Sequence, residues 1–257
     1  MDIALEVHDL TVSYDKKPVL WGVDVDIPAG SICGIIGPNG AGKSTLIKSI
    51  MGLIPTSSGY VKILGKDLGD VRKSVSYVPQ RESLDWDFPA SVLDIVQMGR
   101  YGKVGLFRRL KKADKEAAMD ALRQVGMEQF KHRQISQLSG GQQQRVFLAR
   151  ALCQEADVYL LDEPFAGVDA ATEKAIIQIL RSLAEKGKTI IVVHHDLQSV
   201  ETYFSWLIML NLRLVASGPT KEVFIEQYLN ETYGGKLTIL SEVGELMKKE
   251  QYPTREQ

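Results

Sequence analysis

Cysteine is scarce in this chain: Cys33 and Cys153 are its only two, 120 positions apart and set in apolar surroundings. That spacing makes neither a disulfide framework nor a set of metal ligands. Two buried, reduced thiols are expected, as suits a reducing compartment. A charge imbalance is missing too: 31 Lys+Arg against 32 Asp+Glu leave a net charge of −1. This excludes a generally basic nucleic-acid coat and a strongly acidic disordered chain. Long apolar runs are also absent. The window 206–215 is broken by Asn211 and Arg213, and no stretch approaches the roughly 20 apolar residues that cross a bilayer. The first residues, Met1-Asp2-Ile3-Ala4-Leu5-Glu6, carry no basic segment followed by an apolar one, so no secretory signal is expected. Low-complexity segments and internal repeats are lacking as well. The expectation is a soluble chain whose tie to any membrane comes through a partner.

What is present is ordinary globular material: 44% hydrophobic and 25% charged residues over 257 positions, enough for one large domain or a domain with a subdomain. Val23-Asp24-Val25-Asp26-Ile27 alternates strictly, the period of a half-buried antiparallel strand, and residues 4–14 form its neighbour. Pro28-Ala29-Gly30 reads as a turn. The run 31–36 is a short buried strand, followed by a glycine-rich loop and a helix over 43–51. Further strands are expected at 59–64 and 74–78. Residues 90–155 look helical. Ser91 and Asp94 make a capping-box start, and amphipathic stretches cover 113–125 and 142–153. Two apolar runs, 158–161 and 189–193, flank a helix over 172–186, which predicts a parallel βαβ unit. Residues 206–210 and 212–216 suggest a closing hairpin. The fold class is therefore α/β, with an antiparallel β subdomain at the start and a helical insertion subdomain at about 81–155. One domain covers residues 1–230, and a helical extension covers 231–257, with Ile239, Val243, Leu246 and Met247 on one helical face.

The chemistry begins at Gly37-Pro38-Asn39-Gly40-Ala41-Gly42-Lys43-Ser44-Thr45. It fits G-x-x-x-x-G-K-[ST] between a predicted strand and a predicted helix. Glycines let the backbone fold into a nest of inward N–H groups, and the following helix adds its positive end. Lys43 reaches the β- and γ-phosphates of a nucleotide, and the Ser44 hydroxyl ligates Mg²⁺. The four fixed positions match by chance in roughly one chain per hundred, so a partner motif is needed. Val158-Tyr159-Leu160-Leu161-Asp162-Glu163 supplies it. A buried strand delivers two carboxylates to its C-terminal end, where α/β proteins bind ligands. Asp162 is the candidate for the Mg²⁺ shell, and Glu163 for polarising the water that attacks the γ-phosphate.

Leu138-Ser139-Gly140-Gly141-Gln142 opens another helix. Five fixed residues arise by chance about once per thousand chains or fewer. Ser139 is an N-cap type and the two glycines bare backbone N–H groups, so a second anion-binding helix end is expected. One fold then has two phosphate-binding ends and one lysine, which points to a second copy sharing the nucleotide.

On these motifs the chain resembles the nucleotide-binding subunits of ABC transporters, over nearly its whole length. The resemblance implies a P-loop ATPase core with ATP and Mg²⁺ as cofactors. It implies that Tyr14 stacks on adenine and that Gln80, after Val78-Pro79, contacts Mg²⁺ or the attacking water and links the core to the insertion. It makes His195, in Val193-His194-His195-Asp196, the switch histidine on the γ-phosphate. It places Asp169, in Ala166-Gly167-Val168-Asp169, in the D-loop, although the three residues before it depart from the family's usual Ser-Ala-Leu. It further implies a homodimer with ATP between residues 37–45 of one copy and 139–142 of the other, carried on an integral membrane permease at the cytoplasmic face of the cell membrane. The stretch 79–101, with His194-His195, is similar to ATPases of manganese, zinc and iron importers that work with an extracellular metal-binding protein, manganese first. Nucleic acid is not among the expected partners.

Residues 100–112 hold six basic side chains and no acid, expected as a solvated face or as a surface for an anionic leaflet or a partner's loop. Met98, Phe107 and Trp86 are candidates for a docking groove or for the insertion's own core. A DNA-repair ATPase would carry a long coiled coil between the two motifs, and residues 81–138 show no heptads. A translation factor would carry two cassettes. A soluble ATPase that energises iron–sulfur cluster assembly stands as the alternative.

Overall fold

A computed structural model describes residues 2–14, 17–80, 89–105 and 108–234. In chain order come β1 (Ile3–Tyr14), β2 (Lys17–Pro28), β3 (Ile32–Ile36), α1 (Lys43–Ile50), β4 (Ser58–Ile63), α2 (Leu68–Val71), β5 (Val75–Val78), α3 (Val92–Met98), α4 (Tyr101–Val104) and α5 (Lys112–Gln124). There follow α6 (Gly140–Gln154), β6 (Val158–Asp162), α7 (Ala170–Glu185), β7 (Thr189–Val193), α8 (Val200–Tyr203), β8 (Trp206–Asn211), β9 (Arg213–Pro219), α9 (Thr220–Val223) and α10 (Glu226–Tyr233). The chain falls into two compact units. One holds Met1–Ala4, Pro28–Ile32 and Ile63–Val192; the other holds Leu5–Ile27, Cys33–Lys62 and Val193–Gln257.

In the first unit β5, β6 and β7 lie side by side in that order. β5 and β6 run parallel, from Val75 opposite Val158 to Val78 opposite Leu161. Every residue of β6 and β7 is buried. This explains their unbroken apolar runs: a strand covered on both faces has no reason to alternate. α7 joins them and buries Ile176, Ile177 and Leu180, each worth about 1.5–3 kcal/mol of transfer free energy. The helices α3, α5 and α6 pack on one another and belong to this same unit. α3 starts on the expected capping box: Asp94 N–H donates to Ser91 Oγ at 3.2 Å, and Ser91 N–H to Asp94 Oδ2 at 3.1 Å.

The basic stretch 100–112 is not uniformly solvated. Arg100 Nε meets Asp114 Oδ1 at 3.0 Å, its Nη1 meets Glu155 Oε2 at 2.7 Å, and Lys103 Nζ reaches the same Glu155 oxygen at 2.8 Å. Acids beyond the stretch neutralise its first two cations, while Arg108, Arg109, Lys111 and Lys112 remain exposed. Met98 is half-buried; Trp86 and Phe107 lie outside the described residues.

In the second unit β1 sits between β2 and β4. Val23, Val25 and Ile27 are buried and Asp24 and Asp26 exposed, the alternation their sequence demands. β3, wholly buried, pairs in parallel with β8 from Cys33 opposite Trp206 to Ile36 opposite Met209, and β8 turns back antiparallel into β9. Both cysteines are buried free thiols. α10 runs through residue 231, so the expected boundary between 230 and 231 falls inside a helix. The apolar face expected at 239–247 lies outside the described residues. Among the described residues no helix is long and apolar enough to cross a membrane.

Candidate nucleotide site

β3 delivers the chain to the loop 37–42, and α1 begins directly behind it. Gly42 is the N-cap of α1 with φ +94°, and no side chain caps that end. An added Cβ would stand 2.5 Å from Leu20 Cδ2 and 2.9 Å from the Val19 carbonyl oxygen, so only glycine serves. The uncapped first-turn N–H groups of a helix suit an anion. Lys43, only 7% exposed, donates from Nζ to the carbonyls of Gly37 at 2.8 Å and Pro38 at 3.0 Å. Its ammonium therefore lies along the loop. The Ala41 N–H donates to Pro38 O at 3.1 Å, while Ala41 O accepts from Leu212 N at 2.9 Å, which ties the loop to the β8–β9 turn. Asn39 and Gly40 are exposed at the tip, and Ser44 and Thr45 are half-buried in the first turn of α1. Tyr14 closes β1 with 47% of its surface exposed, an open aromatic at the edge of the same unit.

The two histidines separate cleanly. His194 is 2% exposed; His195, the next residue, is exposed. Burial pushes the His194 ring down to about 4, with the neighbouring His195 pulling the same way and the Asp196 charge opposing. A buried neutral imidazole cannot meet a solvent-borne phosphate, whereas an exposed one can.

In the first unit β6 ends on Asp162, completely buried, and Glu163, half-buried. Burial and the nearby Asp162 charge together raise the Tyr77 phenol to about 12. Glu163 adopts φ +52°, the left-handed region that costs a residue with a Cβ about 1–2 kcal/mol. The strand thus breaks at the position where its second carboxylate must leave the buried face. The Gln80 side-chain amide donates to Glu163 Oε2 at 3.3 Å, so a residue two positions after β5 and the residue directly after β6 meet. Positive φ at Glu163 is the feature sequence reasoning missed. Its only signal is the following Pro164, which disfavours the right-handed helical region for the residue before it.

The helix α6 starts as read. Ser139 N–H donates to Gln142 Oε1 at 3.0 Å and Gln142 N–H to Ser139 Oγ at 3.4 Å, a reciprocal cap that sequence had shown only as an N-cap type. Gly141 packs closely on the segment before α7: a Cβ there would stand 3.0 Å from the Gly167 carbonyl oxygen and 3.5 Å from Val168 Cα. Asp169 is the N-cap of α7. Its carboxylate accepts from the Thr172 N–H at 2.8 Å and the Thr172 hydroxyl at 3.0 Å, bonds that hold it below the usual carboxylate range.

Ser44 and Asp162 offer hard oxygen donors. Among the described residues no group of three His, Cys, Asp or Glu side chains is arranged to hold a metal. Ser44 lies in the second unit and Asp162 in the first; each by itself is a donor of the kind that suits Mg²⁺, which keeps waters and takes phosphate oxygens rather than a full protein cage.

Residues 20–166 match the ABC transporter family. The chain is 61% identical over 238 residues to the manganese transport system ATP-binding protein MntB of Bacillus subtilis, covering 93% of this chain and 95% of the relative. It is 56% identical over 235 residues to the zinc transport system ATP-binding protein TroB of Treponema pallidum, covering 91% and 88%. Among solved structures it resembles cbiO1 from Clostridium perfringens, part of the ABC transporter complex cbiONQ, with TM-score 0.75 and 30% identity over 96% of this chain and 100% of that one. It also resembles an ATP-binding cassette of an ABC transporter in its ADP conformation, with TM-score 0.76 and 25% identity over 92% and 100%.

Proposed function

The chain belongs to the ABC transporter family as an ATP-binding subunit, and we propose that it hydrolyses ATP to drive the import of manganese, with zinc and iron as the neighbouring alternatives. The observation that carries the catalytic half is the pair at the ends of β5 and β6. Glu163, turned out of its strand by a positive φ, accepts a hydrogen bond from Gln80. A half-buried carboxylate beside a side-chain amide can polarise and hold a water for in-line attack. The metal reading rests on the names of the manganese and zinc relatives. Those transport names lend nothing to the cluster-assembly alternative.

In this reading Tyr14 stacks on adenine. The backbone N–H groups of Gly37, Asn39, Gly40, Ala41 and Gly42, the Lys43 ammonium and the Thr45 end of the loop take the phosphates, and Pro38, which has no N–H, shapes the turn between them. Ser44, Gln80 and Asp162 hold Mg²⁺, which when bound neutralises developing charge on the phosphates. Glu163 orients the attacking water and His195 touches the γ-phosphate. Ser139, Gly140, Gly141 and Gln142 present the α6 N-terminus to the nucleotide of a second copy, and Asp169 borders that contact. ATP then draws two copies together because it binds the closed pair more tightly than the open one; only that difference can do mechanical work. The pair sits on an integral membrane permease at the cytoplasmic face, and an extracellular metal-binding protein feeds the permease.

Co-purification with the adjacent membrane protein and reconstitution in vesicles tests this. ATP-dependent manganese uptake is expected, and its absence with all three metals would overturn the transport reading. Ser139→Ala should impair hydrolysis while the isolated chain still binds nucleotide. Loss of binding by the monomer would overturn the shared site.

A further inference from the structure

His194 is the one chemistry-bearing residue of the sequence motifs that the proposed function leaves without a task. It directly follows the buried strand β7, yet its ring is not merely packed. Nε2 lies 2.8 Å from Ser199 Oγ. Ser199 Oγ in turn lies 2.7 Å from Asp196 Oδ2 and 3.2 Å from the Asp196 carbonyl oxygen. Asp196 Oδ1 accepts from the Gln198 N–H at 3.0 Å, which caps the short turn Leu197–Ser199. The ring also meets Phe204 edge-on, with centroids 5.2 Å apart, and faces Tyr203 at 6.0 Å and His195 at 5.9 Å. Its backbone N–H donates to Ile35 O at 3.0 Å, on the strand that leads into the phosphate loop.

A proton inventory fixes the direction of this chain of bonds. Asp196 offers only acceptors to Ser199, a carboxylate and a carbonyl, so the single hydroxyl proton of Ser199 points to Asp196. Ser199 Oγ can then only accept from His194. The imidazole is therefore protonated at Nε2 and donates. The three groups form one directed relay, His194 to Ser199 to Asp196, and His195 lies between its first and last members in sequence.

We propose that His194 is a positioning residue. Through Ser199 and Asp196 it locks the turn after β7, so that His195 is held outward toward the γ-phosphate. The inference rests on the assignment of His195 as the switch residue. Tying the turn to β3 through the His194 amide also couples the switch to the strand before the phosphate loop. The lock leaves nucleotide binding to the loop itself, so its loss should show in kcat and not in KM.

The test is steady-state ATPase activity of the full chain, with melting curves to confirm folding. His194→Phe keeps an aromatic ring against Phe204, with a slightly larger volume, but removes the donor. It should lower kcat about tenfold, the fold-change one hydrogen bond is worth, with KM for ATP within twofold. His194→Gln restores an N–H near the Nε2 position and should recover most of kcat. Ser199→Ala breaks the second link without opening the core. Because the His194 ring also bonds the Asp196 backbone directly, Ser199→Ala should cost no more than His194→Phe, and the double variant should be no worse than His194→Phe alone. If Gln falls as far as Phe, if the two losses multiply, or if KM rises in step with the fall in kcat, the inference is overturned. His195→Ala is measured alongside. Full activity there would sink the switch assignment itself. A dead His195→Ala beside normal His194→Phe and Ser199→Ala would sink only the positioning role.

Discussion

β6 ends on Asp162 with Glu163 directly after it, and β7 ends on Val193 with His194 and His195 directly after it. In each pair the first residue is buried and the second reaches toward solvent. The same change of face is made by different means. After β6 the backbone does it, with Glu163 at φ +52°. After β7 no residue through Ser199 has a positive φ; side chains do it, through the Asp196 cap and the Ser199–His194 bonds. A strained backbone holds one side chain stiffly and is indifferent to its neighbours' identity. A hydrogen-bonded turn is unstrained but depends on each donor. The first end should therefore be sensitive to substitutions that alter Cβ, and the second to those that remove an N–H or O–H.

Four measurements sharpen or break that contrast. The largest effect is expected for Glu163→Gln, which keeps the shape of the strained end and removes its charge. Phosphate release should fall about 10²–10⁴-fold, the usual worth of a general base, while ATP holds two copies together on a sizing column. Wild-type turnover would remove Glu163 from the chemistry. The second concerns acid. An unfolded imidazole binds its proton near 6.5 and the folded His194 only near 4. Between those values the unfolded chain carries more protons, so stability falls as pH drops. The loss attributable to this one ring reaches at most about 3 kcal/mol. Asp196, held below its usual range, loses its contribution only at lower pH still. Urea melts at pH 7 and 4.5 should show wild type losing more than His194→Gln; parallel losses would contradict the buried neutral ring.

Third, His195→Ala should cost kcat about a hundredfold, the lower end of what a positioned acid–base group supplies, with ATP affinity retained in a binding titration. A fall in affinity alone would move His195 from switch to binding residue. Smallest is the strain itself. Glu163→Gly should be more stable than Glu163→Ala by about 1 kcal/mol, since only glycine is at ease at positive φ. Equal unfolding midpoints would mean that the β6 end is not strained and that the contrast between the two ends is false.

Much of this was legible from the amino-acid order. The strands expected at 158–161 and 189–193, the helix between them and the start of α3 on Ser91 follow from apolar runs and caps, which are local codes. The loop at Gly37–Thr45 was legible because its glycines and lysine answer one backbone shape. The contact of Gln80 with Glu163 could not be read, because 83 positions separate them and only the pairing of β5 with β6 brings their ends level. The neutralised Arg100 was misread for the same reason: its acids, Asp114 and Glu155, come from α5 and the end of α6.

The sequence by itself determined which chemical groups this protein has and the short-range hydrogen bonds that start its helices, because those bonds span three or four residues of one chain. Only the tertiary structure decided that His194 is sealed and His195 open, and that Glu163 leaves its strand through a strained angle. Burial and strain are set by residues far away in sequence, and no local spacing encodes them.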